Sequence, residues 1–341
     1  MLGYLSEQGM EQAKLQWSGR DNEEILNDPK ASDEMKRKIK LISEYKDFFY
    51  NYFGEKKTSI YSKTTVLSNK AVTYLVIASA KTKIEAKEFE FPLMGSFPYI
   101  GFFKKSSAEA FAKKLNREEN LATYIRPVYA YSTLGYFEDR ILSSFFEYND
   151  VELAELVFHE LFHTIFFIKD EVELNENLAS LYGKDLLKEY FKDQPELQKH
   201  FETQEKKNLL SRKVVDLIGI LQTEFAKLGG FITPEKADDL TQRFVAEVFL
   251  PGLKSYCTEI KLEDSECEIK ADWNQASFAA FLTYEEEQDF LYQLKSNKSF
   301  DLKQYLTWLR MEHKNYGKQT EDLSFTDFLK MKVPHAPIAA D

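Results

Sequence analysis

The sequence predicts an α+β fold, with N-terminal helices and a mixed β-sheet followed by a mostly helical C-terminal half. Three observations carry this reading. Apolar residues recur at helical spacing over residues 5–53, the pattern of helices that bury one face. Residues 58–104 change to short runs rich in Thr, Val, Ile, Tyr and Phe, punctuated by Pro92, Gly95, Pro98 and Gly101, which is strand-and-turn composition. From Asp150 onward helical spacing returns and persists through most of the remaining chain. The expected partition is a lobe at 1–149 and a helical lobe at 150–341, packed as one compact unit with the functional site between them.

Residues 5–17 read as an amphipathic helix, and Asp28-Pro29 breaks the pattern. A second helix over 32–53 aligns Ile39, Ile42, Tyr45, Phe49 and Phe53, with Gly54 as its stop. The runs 72–77 and 89–91 read as strands and 106–115 as a helix. Residues 122–131 read as a strand whose Pro127 places it at an edge or bulge. Asn149 with Glu152 three residues later has the form of a capping box opening the next helix. Later helices are expected at 176–192, 203–228, 234–250, 275–295 and 301–314, with 257–267 as a polar loop or hairpin.

Composition excludes several classes. With 341 residues, 43% hydrophobic and 30% charged, the chain can bury a sizeable core and is not a disordered sequence. A net charge of −11 lacks the basic face that nucleic-acid binding requires. The most apolar stretch, 151–168, contains Glu152, Glu155, His159, Glu160 and His163, so it is not a membrane span. The opening Met1-Leu2-Gly3-Tyr4 has no basic-then-apolar leader, which is expected of a cytosolic protein or of one whose targeting segment has been removed. Cys257 and Cys267 suit either a small disulfide loop or two free thiols, and their spacing does not choose.

His159-Glu160-Leu161-Phe162-His163 is an HExxH motif. Helical residues four apart share a face, so both imidazoles can reach one metal ion. Glu160 points partly aside, where it can act as base toward a metal-bound water. Zinc lowers the pKa of such a water to about 7. Histidine occurs only five times in this chain, so a chance occurrence of the motif is on the order of 1%. Val157, Phe158, Leu161, Phe162, Ile165 and Phe166 make the helix apolar on nearly every side, and two histidines and a glutamate buried there are costly unless something satisfies them.

A catalytic zinc site needs a third protein ligand and an open position. Asp170, Glu171, Glu173 and Glu176 lie just downstream. Lys169-Asp170-Glu171 reads as a turn, and 175–180 as the start of a helix folding back on the first, with Leu178, Leu181 and Leu186 packing the pair. That geometry selects Glu176, with Glu173 as the alternative. Glu155, four residues before His159, and Ser180, four after Glu176, are placed to hold the ligands from behind, as is Asn175.

The block 154–163, followed by Lys169-Asp170 and Asn175-Glu176-Asn177-Leu178-Ala179, resembles the bacterial putative aminopeptidase family of zincin-type metallopeptidases. Further stretches are similar to it: 91–95 running to 99–103, Tyr131-Ser132-Thr133-Leu134-Gly135-Tyr136-Phe137, and Asn274-Gln275-Ala276. The resemblance implies a zincin-like, gluzincin-like fold with an edge strand beside the site. It implies one zinc ion held by His159, His163 and Glu176, with Glu160 as base. It also implies an exported, periplasmic or outer-membrane-associated protein with a lipid anchor trimmed from its start, in which a Cys257–Cys267 disulfide is permitted. Two features depart from well-studied gluzincins: the twelve residues between His163 and Glu176 are fewer, and Ser180 stands where those enzymes often have an acid.

The expected activity is peptide hydrolysis, by an aminopeptidase, on a substrate strand paired with the 132–135 edge strand. Tyr131 or Tyr136, flanking it, could stabilise the oxyanion. Two alternatives stand beside this: a zinc hydrolase acting on a non-peptide amide, and a non-catalytic envelope protein with a structural zinc. The intact Glu160 speaks against the latter, since a structural site does not need it.

Overall fold

The computed structural model describes residues 8, 10, 17–67, 71–91, 95–129, 140–228, 232–263, 265–267, 272–282, 289–318 and 323–333. In chain order the elements are β1 (Arg20–Asp21), α1 (Asn22–Asn27), α2 (Asp33–Phe53), β2 (Lys63–Thr65), β3 (Thr73–Ala80), β4 (Phe89–Phe91), β5 (Gly95–Phe97), β6 (Ile100–Phe102), α3 (Lys105–Glu119) and β7 (Leu121–Val128). They continue as β8 (Ile141–Leu142), α4 (Asp150–Phe162), α5 (Val172–Phe191), α6 (Pro195–Lys227), α7 (Pro234–Phe244), α8 (Leu250–Glu259), α9 (Gln275–Leu282), α10 (Asp289–Asn297), α11 (Leu302–Tyr316) and α12 (Phe325–Lys330). The protein is α+β and predominantly helical.

The chain divides into two compact units, each built from separated stretches. One comprises 19–66, 132–197 and 287–341; the other comprises 1–18, 67–131 and 198–286. Within the first grouping Lys38 on α2 bonds Asp150 and the Tyr148 carbonyl, a pairing of distant residues that leaves no periodic trace in the sequence.

In the first of these units α2 packs on α4. Ser32 caps α2 through the Met35 amide, and Gly54 ends it in the left-handed region at φ 68°, a conformation that costs glycine little. Ile39, Ile42, Tyr45 and Phe49 are fully buried, so the expected face is the packed one. Phe162 of α4 stacks on Tyr182 of α5 with ring centroids 4.1 Å apart, and the Tyr182 hydroxyl donates to the Leu302 carbonyl at 3.3 Å. A small mixed sheet in the order β1-β2-β8 edges this core, antiparallel on one side and parallel on the other.

The other unit holds an antiparallel sheet in the order β6-β3-β7 and a separate β4-β5 pair. Ala108, Ala112 and Leu115 of α3 cover the sheet with Tyr74, Val76 and Ala78. Pro127 lies on β7, an edge strand of this sheet among the described residues, where a missing N–H is tolerated. A second core joins Leu217, Ile218 and Leu221 of α6 to Phe244, Phe249 and Phe278.

Three expectations are corrected. Among the described residues the single mixed sheet is three small ones. The helix expected to end near 250 instead runs on through Pro251 to Glu259, because residues Val245–Phe249 widen into a π-helix; the shifted bonding accommodates a proline that has no N–H to offer. Cys257 therefore sits on a helix rather than in a loop. It is joined to Cys267 by a disulfide, Cα atoms 6.2 Å apart, beside buried Leu262. The helix expected at 275–295 is described as α9 and α10, with 283–288 outside the described residues. Of the helix expected at 5–17, only residues 8, 10 and 17 are described.

Candidate metal centre on the α4–α5 helix pair

The site is built on α4 and α5, both within one compact unit. Asn149 opens α4 with a complete capping box: its side chain accepts from the Glu152 amide, and the Glu152 carboxylate accepts from the Asn149 amide. Asp150 in the first turn is held by Arg37, at 2.7 and 3.0 Å, and by Lys38, at 2.9 Å. These hydrogen bonds depress its pKa to about 2, the Arg37 bonds being the largest cause. The motif occupies the other end of α4. His163 is the C-cap residue but keeps helical dihedrals, φ −59° and ψ −23°, so the four-residue spacing still places both imidazoles on one face.

The chain turns back within residues 163–171, and each bend is fixed. Thr164 bonds the Leu161 carbonyl and the Tyr50 hydroxyl. The Asn175 side chain bonds both backbone groups of Ile168, at 2.9 and 2.7 Å. Asp170 takes a positive φ of 66°, and Glu171 accepts from the Phe325 and Thr326 amides and the Thr326 hydroxyl at the start of α12. A twelve-residue spacing therefore suffices to return a carboxylate to the histidines.

As α5 advances from Glu176 to Ser180 to Gly183, its neighbours on α4 retreat from His163 to His159 to Glu155, so the helices are antiparallel. Glu176 carboxylate oxygens lie 3.2 Å from His159 Nε2 and 3.4 Å from His163 Nε2. Ser180 Oγ lies 3.3 Å from His159 Nδ1. A Cβ on Gly183 would stand 3.1 Å from the Glu155 carbonyl oxygen and 3.4 Å from the His159 nitrogen, so the absence of a side chain there permits the close approach. Leu178, Leu181 and Leu186 are fully buried along the pair.

The electrostatics are uneven. Burial works against charging His159, but its hydrogen bond to Glu176 and the charges of Glu160, Glu176 and Glu155 outweigh burial and raise its pKa. Burial, reinforced by repulsion from His159, pushes His163 down to about 4 against the attraction of Glu176. Burial also resists the charge on Glu176, yet the His159 hydrogen bond and both imidazoles hold its pKa below the usual value. At neutral pH His163 is therefore a neutral imidazole, the form that binds metal. Its side chain is only 4% exposed, and among the described residues neither ring nitrogen has a hydrogen bond, the Glu176 oxygen 3.4 Å from Nε2 being an ion-pair contact.

Ligand atoms of His159, His163 and Glu176 all lie within 4.8 Å of one another, the one such group among the described residues. The donor set fits zinc, which takes imidazole nitrogen and carboxylate oxygen in tetrahedral sites with one position open. The orphaned His163 nitrogens supply the structural test of that fit, since a buried polar atom without a partner calls for an explanation. Glu160 is outside the cluster and partly exposed, and its charge reaches His159. Glu173 is exposed, and Glu171 is committed to α12. Asn175 supports the turn at Ile168 and makes no bond to a ligand candidate in this arrangement. Tyr131, Tyr136 and the edge strand between them lie outside the described residues. The sequence reading missed Gly183; its signal was a glycine inside a helix, seven residues after Glu176 and so on the same face.

A helix pair that converges two imidazoles and a carboxylate forms a possible metal site. The chain belongs to the family described as "Putative aminopeptidase", whose pattern matches residues 3–322. That description suggests a peptidase. Neither a curated protein nor a solved structure matches the chain.

Proposed function

We propose that this protein is a zinc-dependent metallopeptidase acting as an aminopeptidase, with a zincin-like, gluzincin-like arrangement of its site. The carrying observation is the convergence of His159, His163 and Glu176 within 4.8 Å, one residue away from a glutamate that the cluster does not use. In this reading the two Nε2 atoms and the Glu176 carboxylate hold one zinc ion. When bound, the ion supplies Lewis acidity and a water of lowered pKa. Glu160 is the proton acceptor: its carboxylate takes the proton of the attacking water and returns it to the leaving nitrogen. The substrate is a peptide or protein.

Among the described residues no helix is long and apolar enough to cross a membrane. The Cys257–Cys267 disulfide supports an exported, periplasmic location, because such bonds persist in oxidising compartments. Thiol counting on the denatured, unreduced protein should find no free thiol.

Activity is tested with peptides bearing free and acetylated amino termini. Cleavage of free termini alone is expected. Cleavage of both would make the protein an endopeptidase, and cleavage of neither by zinc-loaded protein across a peptide library would overturn the peptidase reading.

A further inference from the structure

The two histidines of the cluster are held in different ways. His163 is enclosed, and among the described residues its Nδ1 meets no hydrogen-bonding group. His159 has one: Ser180 Oγ, 3.3 Å from Nδ1. A hydroxyl can accept as well as donate, so it can accept a hydrogen bond from Nδ1–H while the Nε2 lone pair stays available to a ligand. Ser180 reaches this position because it lies one helical turn beyond Glu176 on α5, and because Gly183, a further turn on, lets the α5 backbone approach the Glu155 carbonyl and the His159 amide. The ligand carboxylate, the hydroxyl behind the first histidine and the glycine thus form one stripe on α5, aligned with one stripe on α4.

We infer that Ser180 is the positioning residue of the metal centre: its hydroxyl, bonded to Nδ1, holds the ring of His159 in the orientation that leaves Nε2 for the metal. The inference rests on the zinc reading above. Groups that accept from the second nitrogen of a ligating histidine orient the ring and raise its basicity, and their removal costs about 10–100-fold in metal affinity. A neutral hydroxyl does the first fully and the second weakly. An aspartate in its place would do both, so the native serine sets zinc affinity below what this helix pair can reach.

The experiment measures zinc affinity by competition with a chromophoric chelator, and the melting temperature of the metal-free protein, for wild type, Ser180→Ala and Ser180→Asp. Ser180→Ala should bind zinc about 10–100-fold more weakly with its metal-free melting temperature unchanged, and Ser180→Asp should bind at least as tightly as wild type. Zinc binding by Ser180→Ala equal to wild type would overturn the inference and leave the zinc reading intact. Equal weakening in both variants, with a lowered metal-free melting temperature, would make Ser180 a packing residue and also overturn it. A wild-type protein that binds no zinc would overturn both readings.

Discussion

Helix α4 is anchored at one end and strained for partners at the other, and the two ends use charge in opposite ways. At the N-terminus the Asp150 carboxylate faces Arg37 and Lys38, the Tyr45 hydroxyl donates to the Asp150 carbonyl, and Asn149 and Glu152 cap each other. Opposite charges meet there at hydrogen-bond distance. At the C-terminus two imidazoles and a carboxylate crowd within 4.8 Å, one histidine raised in pKa and the other driven down to about 4. Paired charge holds the helix in place. At the other end Glu176 bonds His159 and leaves the buried His163 nitrogens without a hydrogen bond among the described residues, the kind of incompletely satisfied cluster that makes a candidate binding site.

The largest expected effect is at Glu160. Glu160→Gln should leave zinc content and melting temperature at wild-type values and lower kcat by about 10²–10⁴-fold, measured on the best peptide found in screening. The opposite pattern is expected at the other end of the same helix. Asp150→Asn should leave zinc affinity unchanged and destabilise the fold by about 1–3 kcal/mol in urea unfolding, because Lys38, 3% exposed, loses its charged partner. The sign with pH follows from the depressed carboxyl. Its contribution is complete above the unfolded value of about 3.9 and is lost as the pH falls toward the folded value of about 2. Wild-type stability should therefore fall across that window, and Asp150→Asn should show a shallower fall.

A smaller change sharpens the contrast. Gly183→Ala adds a Cβ 3.1 Å from the Glu155 carbonyl, forcing α5 away from α4 by a few tenths of an ångström. Alanine also favours the helix by about 1 kcal/mol. Metal-free stability should thus change little, while zinc affinity falls about tenfold, the lower end of the range for groups that support ligands. A melting temperature that collapses while affinity holds would place Gly183 with the anchoring residues instead.

What the sequence made legible was local. The capping box at Asn149 and Glu152, the buried face of 32–53 and the common face of His159 and His163 each depend on spacing within one helix, and each is present. Glu176 was preferred to Glu173 because 175–180 read as the start of a helix returning to the histidines, and Glu176 is the carboxylate that lies beside both imidazoles. The rest depended on contacts between distant residues. Lys38 meets Asp150 from 112 positions away, so the grouping of 19–66 with 132–197 had no sequence signature. The turn role of Asn175, expected behind the ligands, arises from Ile168 seven residues earlier. The continuation through Pro251 depends on a π-helical register that apolar periodicity does not reveal.

Zinc content reports whether the C-terminal end of α4 is a metal centre. Protein purified without chelators and loaded with zinc should hold one ion per chain by elemental analysis, and His163→Ala, which removes the buried imidazole with no hydrogen-bond partner, should hold almost none while keeping the helical circular dichroism of wild type. Full zinc occupancy in both His163→Ala and His159→Ala would contradict the account.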